Sequence, residues 1–466
     1  MNAYDVAIIG GGPGGYTAAI RAAQLGKTAV LIERGELGGV CLNRGCIPTK
    51  AFAASAAVLR QCRRADEFGV MLDGSPRIDF TKVQDRKGKI LDTLRKGVEQ
   101  LLSGNGVEIV KGTAKFIAPN KLSVGDKEIE AKNVIIAAGS SWIEIPGLKP
   151  DGVRIQSSDH AMEWTELPKS VAIVGGGYIG CEFASFMNTM GVDVTIVEAM
   201  DRLITIVDKT ISRTLEKKFK EDGIKVLTKS PVESAKVEGD HVDLVLKDGQ
   251  TVRADSVLVS VGRKPDANAL GLDKIGVECG SKGEIAVNDR FETNIKGVYA
   301  IGDVNGMSLL AHAASEQAIS CVDSMFGKEP HYDNSCVPAC VFCEPEIGCV
   351  GQTGEELKES GITFKTGRFA FASLGKAHVD GCTDGQVTIY AGEDDRILGV
   401  HIIGEDATGL IAEATVAVKR GMTTHELADV IHAHPTLSEV LAEAARDVDS
   451  WAIHKAGKRL KVKGKR

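Results

Sequence analysis

No stretch of this sequence stays apolar for the roughly 20 residues that a bilayer-spanning helix needs, so a membrane-embedded protein is not expected. Aromatic residues are scarce, at 5%, and positive charge is not in excess. The 56 Lys and Arg are outnumbered by 63 Asp and Glu, for a formal net charge of −7. That balance argues against the sequence-independent electrostatic grip by which proteins hold nucleic acid. The one basic cluster, Lys455, Lys458, Arg459, Lys461, Lys463, Lys465 and Arg466, reads as a solubilising end. A secretory leader would need a basic start and a longer apolar run than Val6-Ala7-Ile8-Ile9, so a cytoplasmic location is expected. In that compartment the 11 cysteines are not a structural disulfide framework, and any disulfide among them is expected to be catalytic.

What is abundant is glycine, with 53 residues, which suits tight turns and close approach of backbone to ligand. At 466 residues the chain is too long for a single core. An internal repeat organises it. Residues 4–9 form a short strand pattern that ends in Gly10-x-Gly12-x-x-Gly15, and residues 170–174 form another that ends in Gly175-x-Gly177-x-x-Gly180. Each glycine turn leads into a helical segment and then a second strand closing on an acid, Glu33 or Glu198, in both cases 18 residues past the third glycine. A single such turn says little, but two in βαβ context point to two dinucleotide sites. The first glycine permits the turn, the second admits a pyrophosphate, and the third lets helix and strand pack closely. The helix N-terminus supplies free N–H groups to phosphate, and the acid takes ribose hydroxyls. A carboxylate at Glu198 repels a 2′-phosphate and so favours NAD over NADP, although Arg202 stands nearby.

Two sites imply a fixed flavin, FAD, and a diffusible nicotinamide, NAD. Residues 293–303 read as a strand ending in Gly-Asp, where Asp303 can bond a ribityl hydroxyl while the helix start at Leu310, Ala311 and His312 faces phosphate. Two more strand patterns end at Gly139 and Gly262 and read as crossing points between the nucleotide domains. Gly139 and Ala114 are assigned to the flavin set. Gly262 and Val232 join Tyr178 in the nicotinamide set, where Tyr178 either covers the flavin or packs at a helix start. From about Cys336 the pattern changes to strands at 387–390 and 397–403 and helices at 410–419 and 424–431, with no nucleotide signature. The expected fold is α/β: two Rossmann-like domains for FAD and NAD plus a C-terminal α+β module for substrate contact or dimerisation. The expected divisions are 1–145, 146–264, 265–335 and 336–466.

Between the first repeat and a helix lies Cys41-Leu42-Asn43-Arg44-Gly45-Cys46-Ile47-Pro48-Thr49-Lys50. Gly45 permits a distorted first turn, which would let the two Cα atoms come within the roughly 4.4–6.8 Å of a disulfide. A thiolate near a helix N-terminus has a lowered pKa and is a good nucleophile. This ten-residue motif strongly resembles the active-site motif of the pyridine nucleotide–disulfide oxidoreductases, and the resemblance extends over essentially the whole chain. It implies that Cys41 exchanges thiols with substrate and that Cys46 faces the flavin. It also implies that Lys50 lies beside the flavin ring, paired with Glu182.

Near the C-terminus stands Ile431-His432-Ala433-His434-Pro435-Thr436-Leu437-Ser438-Glu439. A histidine followed by a carboxylate across a Pro turn suits a general base poised near neutral pH. In the family this pattern carries a His–Glu pair, here His434 and Glu439, and it looks most like the dihydrolipoamide-oxidising branch. The resemblance implies FAD-dependent oxidation of protein-bound dihydrolipoamide with reduction of NAD+. It further implies a homodimer with His434 facing Cys41 of the other subunit, and a lipoyl-bearing partner: an acyltransferase lipoyl domain or a glycine-cleavage carrier protein. His432 reads as packing or hydrogen-bond support. The four crowded cysteines Cys336, Cys340, Cys343 and Cys349 lack clean metal spacing and are expected to be small buried packing residues, with no metal site assigned. Competing readings are another NAD(P)H-dependent disulfide reductase of the same family and a non-catalytic flavin-binding scaffold. Glu198 opposes the NADP-dependent glutathione type, and the absence of cysteine after Cys382 opposes the mercuric type.

Overall fold

The computed structural model describes residues 3–456, apart from the Asn268 side chain. Of the basic terminal cluster only Lys455 lies among them, ion-paired with Asp447 at 2.6 Å. The chain forms two compact units. One comprises residues up to 169 with 234–243 and 254–334, and the other comprises 170–233, 244–253 and 335 onward.

In the first unit, β1 (Tyr4–Ile9) is the centre of a parallel sheet. On one side it pairs with β2 (Ala29–Glu33), which pairs with strand Glu108–Lys111. On the other side it pairs with strand Lys127–Ile136, which also takes Val298–Ala300. Val6, Ala7 and Ile8 are fully buried, and alternate residues enter different cores. Ala7, Ile9, Val30 and Ile32 face one cluster, while Val6, Ile8 and Leu31 face the other. A sheet covered on both faces requires such continuous apolar strands, and each fully buried Ile or Leu contributes about 1.5–3 kcal/mol. The strand order reverses beside β1, and in open α/β sheets the crevice at that reversal is where ligands bind. Helix α1 (Pro13–Gln24) follows β1 and begins with Pro at its first turn, where the missing N–H costs nothing.

The second unit repeats the plan. Strand Ser170–Val174 pairs in parallel with Asp193–Val197, which pairs with Lys225–Leu227. Its C-terminal part is an antiparallel five-stranded sheet in the order Ala339–Val341, Ile347–Gly351, Ile397–Ile403, Gln386–Gly392, Phe364–Ala370. Helices Ala407–Lys419 and Glu439–Val448 cover one face through Val387, Ile389, Val400 and Ile402. The other face carries Tyr390, whose hydroxyl donates to Asp208. Asp208 in turn caps helix Lys209–Glu221 by accepting from the Thr210 N–H at 2.8 Å. The α/β reading with an α+β C-terminal module therefore holds. The expected strands at 387–390 and 397–403 lie within observed strands, and the expected helix at 424–431 is shorter, Thr424–Asp429.

Candidate active site

The two glycine turns have the same geometry. Gly10 and Gly175 take φ of 105° and 106°. Glu33 accepts the Gly11 N–H at 2.6 Å with one carboxylate oxygen and the Gly35 N–H at 2.6 Å with the other. Glu198 does the same to Gly176 at 2.5 Å and Met200 at 2.7 Å. Each acid thus holds its turn and keeps lone pairs for a ribose hydroxyl. A Cβ on Gly15 would lie 1.7 Å from the Gly10 carbonyl, so helix and strand meet with no room for a side chain. A Cβ on Gly12 would meet nothing nearer than 3.8 Å, and one on Gly177 nothing within 4 Å, so the space above both turns is open. Helix α1 and helix Tyr178–Thr189 have no side-chain cap and no acid in the first turn, and Gly180 is buried in the latter. Free N–H groups beside open space fit a dinucleotide pyrophosphate at each turn.

Helix Ala311–Met325, whose N-cap is Leu310, is likewise uncapped, with His312 in its first turn and no acid there. Asp303 accepts from Ser140 Oγ at 2.5 Å, and Ser140 in turn accepts from Arg263 Nε at 2.9 Å. Burial pushes the Asp303 carboxyl above the usual range, against the lowering effects of Ser140 and Arg263. Neither Ser140 nor Arg263 stands out in the sequence. Gly139 and Gly262 both take positive φ. Ala114 begins strand Ala114–Ala118 as a buried member of a hydrophobic core, and Val232 begins strand Val232–Glu238 half-buried.

The cysteines sit at the junction of two helices, α2 (Gly39–Arg44) and α3 (Cys46–Arg63), with Gly45 alone between them. A Cβ on Gly39 would come 2.7 Å from the Gly12 Cα, so the cysteine segment packs directly on the first glycine turn. Asn43 Nδ2 donates to the Leu37 and Gly39 carbonyls at 3.0 and 2.8 Å, fixing the approach. Thr49 Oγ donates to the Gly45 and Cys46 carbonyls. The Cys41 thiol is hydrogen-bonded to Cys46, and this bond, with burial and the adjacent Cys46 charge, pushes it far up, while the Lys50 ammonium pulls it down. Tyr16, also missed in the sequence, lies near enough to Cys41 to be raised by it as well as by burial.

In the second unit, Tyr178 starts its helix half-buried, and burial together with Cys349 and Cys340 raises its hydroxyl. Glu182 is buried and accepts the Phe342 N–H at 3.0 Å. Arg202 donates to Glu355 at 2.8 Å and to the Thr205 carbonyl at 3.2 Å, so its guanidinium is already engaged. Of the crowded cysteines, Cys343 and Cys349 are buried as expected, whereas Cys336 and Cys340 are only half-buried. Strand Ala339–Val341 is three residues long and pairs on one side, which leaves Cys340 partly open.

His434 precedes a cis bond to Pro435. Its Nδ1 lies 2.9 and 3.2 Å from the two Glu439 oxygens, and the imidazole is 76% exposed. Burial raises Glu439, but the Thr436 N–H and His434 outweigh it and hold the carboxyl below its ordinary range. An ionised Glu439 fixes a proton on Nδ1 and leaves Nε2 free to act as a base.

Residues 4–318 match the pyridine nucleotide-disulphide oxidoreductase family, and residues 337–445 match its dimerisation domain. Among curated proteins, the mitochondrial dihydrolipoyl dehydrogenase of Pisum sativum is 40% identical over 97% of this chain and 92% of its own length. A dihydrolipoyl dehydrogenase of Bacillus subtilis is 42% identical over 97% of this chain and 99% of its own. Among solved structures, LpdA from Mycobacterium tuberculosis superposes with a TM-score of 0.88 at 28% identity, covering 95% of this chain and 98% of that one.

Proposed function

The chain belongs to the pyridine nucleotide-disulphide oxidoreductases, and from that premise we propose that it oxidises the dihydrolipoamide arm of a lipoyl-bearing protein to lipoamide while reducing NAD+ to NADH. The observation that carries this reading is the contact of Gly39 with Gly12, which seats a hydrogen-bonded cysteine pair on the first dinucleotide turn. The family's dimerisation domain supports a homodimer, in which Cys41 is served by His434 of the partner subunit. The fourfold division at 145, 264 and 335 belongs to the same proposal, as do the roles given to the individual residues.

With Cys41 and Cys46 joined as a disulfide, the Nε2 of His434 takes the proton of one substrate thiol. The thiolate attacks Cys41 Sγ, the Cys41–Cys46 bond breaks, and Cys46 leaves as a thiolate. The second substrate thiol then attacks the first substrate sulfur, and its proton passes to the departing Cys41. This closes the lipoamide ring and releases Cys41. Glu439 holds His434 in the working tautomer throughout, and Lys50 stabilises the negative sulfur pair. FAD, when bound, supplies the two-electron acceptor that restores the disulfide and passes the electrons to NAD+. The carboxylate of Glu198 and the engaged Arg202 favour NAD+ over NADP+.

Steady-state turnover with NAD+ and NADP+, on dihydrolipoamide and on glutathione, tests the proposal. Turnover is expected on dihydrolipoamide with NAD+. Preference for the glutathione couple or for NADP+ would overturn it. Copurification with a lipoyl-bearing acyltransferase or a glycine-cleavage carrier tests the partner.

A further inference from the structure

His432 stands two residues before His434 and is buried where His434 is open, with side-chain exposures of 7% and 76%. Its ring has two partners, and both are acceptors. Nδ1 faces the Val430 carbonyl at 2.8 Å, and Nε2 faces the Glu413 carboxylate of helix Ala407–Lys419 at 2.7 Å. A neutral imidazole has only one N–H, so the ring satisfies both acceptors only as the imidazolium. Glu413 is the anion facing it. Arg446, on helix Glu439–Val448, opposes its charge, but that guanidinium is spent on Glu443 at 2.8 Å and the Ala428 carbonyl at 2.9 Å. Two cations therefore hold the carbonyls of residues 428 and 430, on the stretch of chain that leads into His434. Between that stretch and His432 stands Ile431, 96% exposed.

We propose that His432 is the positioning residue of the general base: a charged pin, held by Glu413, that fixes the backbone leading into His434 and so sets the direction of its free nitrogen. This rests on the function proposed above, because a positioned base has work only where a thiol must lose its proton. The Glu413 hydrogen bond and the Val430 carbonyl raise His432 above an ordinary histidine, while burial and Arg446 pull it down.

The test uses the full-length flavoprotein with His432→Gln, Glu413→Gln and the double substitution. In His432→Gln the amide keeps a donor and loses the positive charge, and in Glu413→Gln it keeps an acceptor and loses the negative one. For dihydrolipoamide oxidation, kcat is expected to fall about tenfold with KM little changed, as for a displaced catalytic group. The double variant is expected to be no worse than the poorer single one, because both act through one contact. Reduction of a quinone by NADH, which takes electrons from the flavin without the dithiol base, is expected to stay at the unsubstituted rate. A His432→Gln enzyme with full kcat, with KM alone raised, or with both reactions lowered in proportion overturns the assignment. An unsubstituted enzyme that reduces quinone but does not oxidise dihydrolipoamide overturns the functional reading instead, and the two failures are distinct.

Discussion

The chemistry of this protein depends on a few atoms whose protonation is set by their neighbours. The Cys41 thiol is pushed up by its hydrogen bond to Cys46 and by burial and pulled down by the Lys50 ammonium, and in the proposed scheme Cys46 is the sulfur that leaves as a thiolate. Cys46→Ser should end dihydrolipoamide oxidation while flavin absorbance survives in the purified protein, since Cys46 shapes no part of the glycine turn. Turnover of that variant on dihydrolipoamide would contradict the scheme. His434→Gln removes the only proton acceptor assigned to the site, and kcat should fall by about 10²–10⁴-fold. Glu439→Gln leaves the base in place but weakens control of its tautomer. Its loss in kcat should be smaller than that of His434→Gln in the same stopped-flow or steady-state assay.

At the level of strands and helices, the critical contact is the one between α1 and β1. Gly15→Ala would drive a methyl into the Gly10 carbonyl. Neither backbone can yield without displacing the turn, so the variant should purify with little flavin and a lowered Tm; full FAD content would refute the packing argument. The glycine turns, the two acids, the cysteine pair and the His–Glu pair are legible in the sequence because each is a local pattern. Eighteen residues from glycine to acid is one helix and one returning strand. The Arg263–Ser140–Asp303 chain joins residues 123 and 163 positions apart, and no local spacing encodes it.

The same is true of His401 on the C-terminal sheet. It is 1% exposed, and its Nε2–H donates to the Gln352 carbonyl at 3.1 Å. Its Nδ1 and the Oγ of its cross-strand neighbour Thr388 are buried without a partner among the described residues. Burial lowers this histidine below its ordinary 6.5, although the Gln352 carbonyl, Asp208 and Glu356 oppose the shift. The unfolded chain therefore takes up the proton first. The stability held by a neutral His401 is complete above about pH 6.5 and is lost as pH falls through the lowered value, by at most about 1.4 kcal/mol per pH unit for one proton. Urea midpoints at pH 7.5 and 5.5 should diverge, and His401→Gln should narrow the difference. An unchanged difference would remove His401 from the account.

Residues 337–445 match the family's dimerisation domain, and the proposed site draws on two copies of the chain. The proposed base, His434, is 76% exposed, and Ile431 beside it on the same loop is 96% exposed, so both are open to a partner subunit. If each site takes Cys41 from one subunit and His434 from the other, two dead homodimers can make one live site. Subunits carrying Cys41→Ser and subunits carrying His434→Gln are each inactive alone. In a heterodimer, one of the two sites receives both wild-type residues and the other receives neither. After co-expression, random pairing puts about half the dimers in the mixed state, each with half its sites intact, so about a quarter of the wild-type dihydrolipoamide turnover should return. A base acting within its own subunit would restore none, because every site in the mixed dimer would then lack one residue.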